Sequence, residues 1–178
     1  MSDFTRNESG LLVPSSDIKV GGVFDIFVNG ELVEQCKNLV VNEGLNYLLD
    51  VGLSGGSAET NWYVTAFTGD VTPVATWTGA NFDTNATEIV ATTGVAEATR
   101  QAWAEAGASA QAIDNYASKA ELTVAAANLT LYGVALLSGS GFANGSDKLM
   151  AASRFSAARA LVQDDVLGIG YRIAMSSS

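Results

Sequence analysis

The dipeptide Asn29-Gly30, set between two apolar runs, constrains the fold more than any other feature of this chain. Val20, Phe24, Ile26 and Val28 share one parity and so face one side of an extended strand. Leu32 and Val33 follow the dipeptide, and Leu39-Val40-Val41 comes next. Asn and Gly both tolerate the positive φ that a type I′ turn demands, and that turn matches the twist of paired strands. The spacing predicts a β-hairpin within residues 18–41.

Beyond the hairpin, Asn42 is placed to cap a short helix, with Glu43 near its positive end. Leu45, Leu48 and Leu49 recur at helical spacing, and Gly52 is a candidate stop. About two turns are too short to be stable alone, so this helix should lie on a sheet. Ser54-Gly55-Gly56-Ser57 is a loop, and Trp62-Tyr63-Val64-Thr65-Ala66-Phe67 has strand composition. Residues 71–93 are rich in Thr, Ala, Asn and Gly, with Pro73, Trp77, Phe82, Ile89 and Val90 as isolated anchors. They predict a long irregular excursion over the surface. Residues 96–112 carry no helical apolar stripe despite their Ala and Glu, and 99–103 is expected as a strand.

The C-terminal third alternates at Leu122, Val124 and Ala126, then at Leu129, Leu131 and Gly133. Val134-Ala135-Leu136-Leu137 extends this into a fully buried strand, and residues 138–146 form a long turn region. Residues 149–155, 160–162 and 166–175 supply closing strands, with Gln163-Asp164-Asp165 as a turn and Ile169, Tyr171 and Ile173 on one face. No repeat of fixed period is evident. The pattern predicts a mainly β chain: an antiparallel β-sandwich, jelly-roll or immunoglobulin-like, with one short helix. Residues 18–178 form that domain. Residues 1–17 are polar around the apolar island Leu11-Leu12-Val13 before Pro14, and are expected as an extended N-terminal arm.

Of the 178 residues, 48% are hydrophobic, and a chain of this length can bury roughly 70% of its unfolded surface, so it needs no covalent staple. Cys36 is the only cysteine; it cannot form an intrachain disulfide and is expected buried as a small hydrophobe. Nineteen acidic against nine basic residues give a net charge of −10. Nucleic-acid backbones need clustered cations, whereas here no two are adjacent in sequence, so no nucleic-acid partner is expected. No apolar run approaches the roughly 18 residues of a membrane span, so no membrane partner is expected. The first residues, Met1-Ser2-Asp3-Phe4-Thr5-Arg6, lack the basic-then-apolar pattern of a signal peptide, which predicts a chain made in the cytoplasm.

Histidine is absent. That removes Ser-His-Asp and Cys-His nucleophile pairs, His-bearing zinc sites and the commonest general base. A single cysteine cannot build a thiolate zinc site. Gly139-Ser140-Gly141 resembles a phosphate loop only superficially, having no lysine at the required spacing and no following helix pattern. Asp164-Asp165 is an adjacent acidic pair, but neighbouring residues on a strand point to opposite faces, and on a turn both are solvated. Asn144, Ser146 and Asp147 are too few for an oxygen-only calcium loop. Four N-x-S/T sites, at Asn7, Asn85, Asn128 and Asn144, reflect composition alone. Trp62, Tyr63, Trp77 and Trp103 could line a sugar-binding face, though core packing is the commoner fate. No catalytic residue, metal ligand, cofactor or small-molecule substrate is expected, and no enzymatic activity.

Residues 38–50 follow the pattern N-L-V-V-N-x-G-L-x-x-L-L-D, and Trp62-Tyr63-Val64 follows it. Then come Ala98-Thr99-Arg100-Gln101-Ala102-Trp103, Tyr132-Gly133-Val134-Ala135-Leu136, a small-residue strand from Ala151 to Phe155, and a terminal D-x-L-x-x-x-Y-x-I strand over residues 165–173. This order of segments resembles that of small virion proteins of tailed bacteriophages; the resemblance spans about residues 20–175, and the order of these motifs carries it. It implies a virion protein without enzymatic role: a capsid decoration (cement) protein, or a tail, baseplate or fibre-attachment component. With the decoration reading go the major capsid protein as partner, self-association as a homotrimer, and a place on the capsid surface. The arm residues Phe4, Leu11, Leu12 and Val13 are then the candidate partner-binding set. A carbohydrate-binding adhesin is a third reading, motivated by the tryptophans.

Overall fold

A computed structural model of the chain describes residues 4–6, 10, 12–14 and 18–177. The predicted hairpin is present: β3 (Ile18–Val28) pairs antiparallel with β4 (Glu31–Lys37), and Asn29 and Gly30 join them at φ 50° and 83°. Before it, β1 (Phe4–Arg6) and β2 (Leu12–Pro14) pair with each other, Thr5 opposite Val13, as a separate two-stranded sheet. The arm's described segments are therefore extended strands that form a small hairpin of their own.

The rest is mainly β, in two antiparallel sheets arranged as a sandwich. One has the order β4-β3-β12-β8, where β12 is Val166–Ser177 and β8 is Ala112–Asp114. In the same sheet β9 (Ala120–Thr123) pairs with the first part of β12, end to end with β8. The other sheet runs β5-β11-β10-β6-β7: Leu39–Val40, Leu149–Val162, Asn128–Leu137, Tyr63–Phe67 and Gln101–Ala102. The main core lies between them, where Phe24, Ile26, Leu122, Leu167, Ile169 and Tyr171 of the first meet Val64, Ala66, Leu131, Val134 and Leu136 of the second. Phe24 stacks on Tyr171 with centroids 4.1 Å apart, and Trp103 donates its indole N–H to the Tyr171 carbonyl at 3.1 Å.

The second sheet is covered on its outer face too, and this is where the sequence expectation needs correcting. Residues 71–93 hold a helix, α2 (Gly79–Ala86), where an irregular excursion was expected. Its start is fixed by Asn81, whose Oδ1 accepts the Thr78 amide at 2.8 Å, and Thr87 ends it in the left-handed region at φ 54°. Phe82 of α2 and Trp77 pack edge-on against Phe67, forming a second cluster with Ala135, Leu137, Leu149 and Ala152. Val134-Ala135-Leu136-Leu137 is buried throughout because alternate residues enter different clusters.

α1 spans Asn42–Leu49 as expected, but its N-cap is Val41, with no side-chain capping bond. Its end is also later than Gly52: a wider π-helical turn, Asp50–Ser54, continues it until Gly55 closes at φ 76°. The strands expected over 149–155 and 160–162 are one strand, β11, with the break surviving as an irregularity. Gly133 pairs with Arg154 and Leu131 with Arg159, so residues 155–158 bulge out of register.

Candidate functional site

Polar side chains carry chemistry only where they are free to meet a ligand, so their partners decide what this fold can do. The most buried set surrounds Arg100, a residue whose role the sequence did not signal. Its Nε and Nη2 donate to the two carboxylate oxygens of Glu88 at 2.6 and 2.8 Å. Nη1 donates to the Gly139 carbonyl at 2.8 Å and to Asp147. Glu88 also accepts the Ala143 amide at 2.7 Å, and Asp147 accepts from the Asn144 side chain at 2.9 Å. Burial alone would weaken Arg100's hold on its proton, but Glu88 and Asp147 outweigh it and raise the guanidinium pKa. The Glu88 and Asp147 carboxylates and the Gly139 carbonyl that face Arg100 are all consumed in pinning loop 138–147 against the segment leading into β7. Gly139 is required there, because a Cβ would collide with the Asp147 carboxylate.

A second carboxylate, the half-buried Glu43 on α1, does similar work. Instead of stabilising its own helix it accepts the amides of Gly79 at 2.8 Å and Leu149 at 2.6 Å. It thus joins α1, the start of α2 and the start of β11. A Cβ on Gly79 would strike the Asp147 backbone, and one on Gly44 the Met150 carbonyl, so both helices seat backbone against backbone. An open groove of about 1000 Å³ lies beside this junction, lined in part by Asn42, Asn46, Tyr47, Asp50, Thr76 and Lys148. Lys148 is engaged with Glu59, and the Tyr47 hydroxyl accepts the Glu59 amide at 2.8 Å. Ser54, which also lines the groove, donates its hydroxyl to the Asp50 carboxylate and to the Asp50 carbonyl one helical turn earlier.

Other singled-out residues have equally structural positions. Asp165 accepts from the Asn29 side chain and the Val162 amide, both at 2.8 Å, and these bonds hold its carboxyl below the usual range. It closes the turn between β11 and β12, and Asp164 occupies that turn at φ 70°. Cys36 is buried as expected, and burial pushes its thiol up to about 11. Asn115, not singled out from sequence, sits buried where β12 lacks a neighbour between β8 and β9; it accepts the Tyr171 amide at 2.7 Å and donates to the Ile169 carbonyl at 3.2 Å. Trp77 and Trp103 are core residues, while Trp62 and Tyr63 are half-buried, so the four aromatics form no shared sugar-binding face. Among the described residues no group of three or more Cys, Asp or Glu is arranged to hold a metal, and no helix is long and apolar enough to cross a membrane. No buried side-chain nitrogen or oxygen among them lacks a hydrogen-bond partner.

The fold also leaves large apolar side chains open. Leu45, Leu49 and Leu53 recur every four residues along α1 and its π turn; Leu49 is 58% exposed and Leu53 84%. Of the candidate arm residues, Phe4 lies in β1, and Leu12 and Val13 lie in β2. Leu12 is exposed, and Leu11 lies outside the described residues. No protein-family model matches the chain, and no curated protein is similar to it.

Proposed function

We propose that this chain is a non-enzymatic structural protein of a tailed-phage virion: a decoration (cement) protein that binds the outer head surface and stabilises the shell. The observation that carries this reading is the division of labour among its side chains. Charges such as Arg100, Glu88, Asp147 and Glu43 are spent on partners inside the molecule, while leucines project at its surface. That is the chemistry of packing against neighbours. The segment order shared with small virion proteins supplies the phage setting.

The mechanism is a clamp. Arm residues Phe4, Leu11, Leu12 and Val13 bury apolar surface on the major capsid protein, each contributing about 1.5–3 kcal/mol when fully covered. A homotrimer repeats that contact and gains avidity without a strong single interface. A net charge of −10 keeps the unattached protein soluble while it waits to assemble. Removing residues 2–13 should abolish attachment to undecorated heads while leaving the circular dichroism and melting of the β domain unchanged. Full attachment by that truncation would defeat the clamp. A tail, baseplate or fibre-attachment role rests on the same segment order, and copy number per particle separates the two: hundreds of copies belong to a head coat, a few dozen or fewer to a tail.

A further inference from the structure

We infer that the free end of the β3–β12 ribbon is the seat for the N-terminal arm of a second copy of this chain. Residues opposite each other on paired strands share a face. Phe24 faces Tyr171 in the core, and the same face continues outward through Gly22 opposite Ile173, Val20 opposite Met175 and Ile18 opposite Ser177. β8 adds Ile113 beside Ile173. The opposing sheet does not follow this far. Val20, Ile113 and Ile173 are half-covered, Met175 is 41% exposed and Ile18 77%. Ile113, Ile173 and Met175 border a hollow of about 260 Å³ at the foot of the hairpin that precedes β8. A core-facing surface is thus carried past the end of its own core.

The reverse face of the ribbon has the opposite character. Lys37 and Arg172 flank a groove of about 330 Å³ floored by Gly21 and Gly22, and Lys19 lies on the same face. Three of the nine cations of a strongly acidic chain gather here. Only Arg172 has an acidic partner among the described ion pairs, Asp114 at 3.3 Å.

An occupant for this place must be apolar and acidic together. The chain's own first 17 residues have that composition: Leu11-Leu12-Val13 with Asp3, Glu8 and Asp17 against Arg6. They leave the domain at Ile18, on the ribbon itself. In a single copy both surfaces stay open, since Leu12 is 62% exposed while Ile18 and Met175 are uncovered. Ribbon against ribbon would not suffice. The free stretch is four residues per strand, about 14 Å long, far short of the roughly 800 Å² per partner that a stable interface buries. Folded as the β1–β2 hairpin, the arm reaches from Ile18 to its tip near Gly10, a span of about 27 Å, enough to cross to a neighbour's ribbon. Exchange of identical arms closes into a ring, so no edge is left unsatisfied. This association belongs to the unattached protein and does not rest on the shell-binding reading: Leu11, Leu12 and Val13 cannot cover a neighbour's ribbon and a shell at once, so attachment displaces it.

The test uses the full chain with Cys36→Ser in every variant. One tagged protein carries Leu12→Cys and a differently tagged one Met175→Cys; the two are mixed and oxidised. A disulfide-linked heterodimer is expected, together with a multimer in sedimentation equilibrium that weakens as salt rises. Met175→Asp, at an exposed position, should raise the dissociation constant at least tenfold with an unchanged melting temperature. A chain that sediments as a monomer overturns the inference. So does a Leu12→Cys/Met175→Cys double variant that closes within one chain while the mixed single variants give no heterodimer, because the arm would then cover its own ribbon. Failure of either kind leaves attachment to phage heads to be decided by its own assay.

Discussion

Replacing Arg100 by Met probes whether the buried ion cluster holds the loop side of the domain together. The substitution keeps an unbranched apolar side chain of similar reach and removes four contacts: two to Glu88, one to Asp147 and one to the Gly139 carbonyl. Water cannot replace them, because the Glu88 side chain is 0% exposed and that of Asp147 7%. Removing one member of a buried ion pair costs about 3–5 kcal/mol. Two carboxylates are orphaned here, but Glu88 keeps the Ala143 amide and Asp147 keeps the Asn144 side chain, which holds the loss within that range rather than doubling it. Against a total stability of about 5–15 kcal/mol this is a large fraction. At roughly 2–4 °C per kcal/mol the melting temperature should drop by about 6–20 °C. Urea unfolding followed by tryptophan fluorescence reads the effect, since Trp103 lies three residues from the change. Adding Glu88→Gln and Asp147→Asn removes the orphaned charges and should recover at least half of the loss. A single variant that loses under about 1 kcal/mol, or a triple variant no more stable than the single one, would refute the reasoning.

Two further substitutions test local arguments. Ala110 and Gln111 turn the hairpin before β8 at φ 49° and 60°, a conformation in which neither residue type is at ease. Ala110→Asn with Gln111→Gly supplies the residues a type I′ turn prefers and should stabilise by about 1 kcal/mol, seen as a raised melting temperature. Cys36 ionises near 9.0 when exposed and near about 11 in the fold, so between those values the folded chain holds the extra proton. Stability is therefore unaffected below pH 9 and falls as pH rises toward 11, by up to about 3 kcal/mol. The difference in stability between the native chain and Cys36→Ala should shift by that amount across the window; a constant difference would show that the thiol is not protected.

Much of the sandwich was legible because its signals are local. Asn29-Gly30 specifies its own turn, and parity alone places Phe24, Ile26, Ile169 and Tyr171 on buried faces. The helix over Gly79–Ala86 was not legible, because Gly, Asn, Asp and Thr dominate it and all have weak helical propensity. What makes it helical is tertiary: Phe82 docks on Phe67, and Glu43, 36 residues earlier, holds its first amide. Arg100 was equally silent, since its partners lie 12 and 47 residues away and no spacing rule joins them. Glu43 was noticed, but as a helix-dipole residue. Its actual bonds to two other elements depend on how closely the glycines let the backbones approach.

The layering also dictates where an interaction can occur. The β5-β11-β10-β6-β7 sheet has both faces covered, and its edge strands, β5 and β7, are two residues long, too short to template another chain. The other sheet's long edge, β4, is guarded by the bent part of β11. There Glu34 accepts the Ser156 amide at 2.6 Å and pairs with Arg159, and the Ser153 hydroxyl donates to the Lys37 carbonyl. At that sheet's opposite edge, β8 is only three residues long. Large apolar side chains gather in the open at two of the molecule's ends. One is the leucine ridge of α1 and its π turn; the other is the ribbon from which the arm departs. A protein built this way offers apolar grip at two ends of one rigid sandwich.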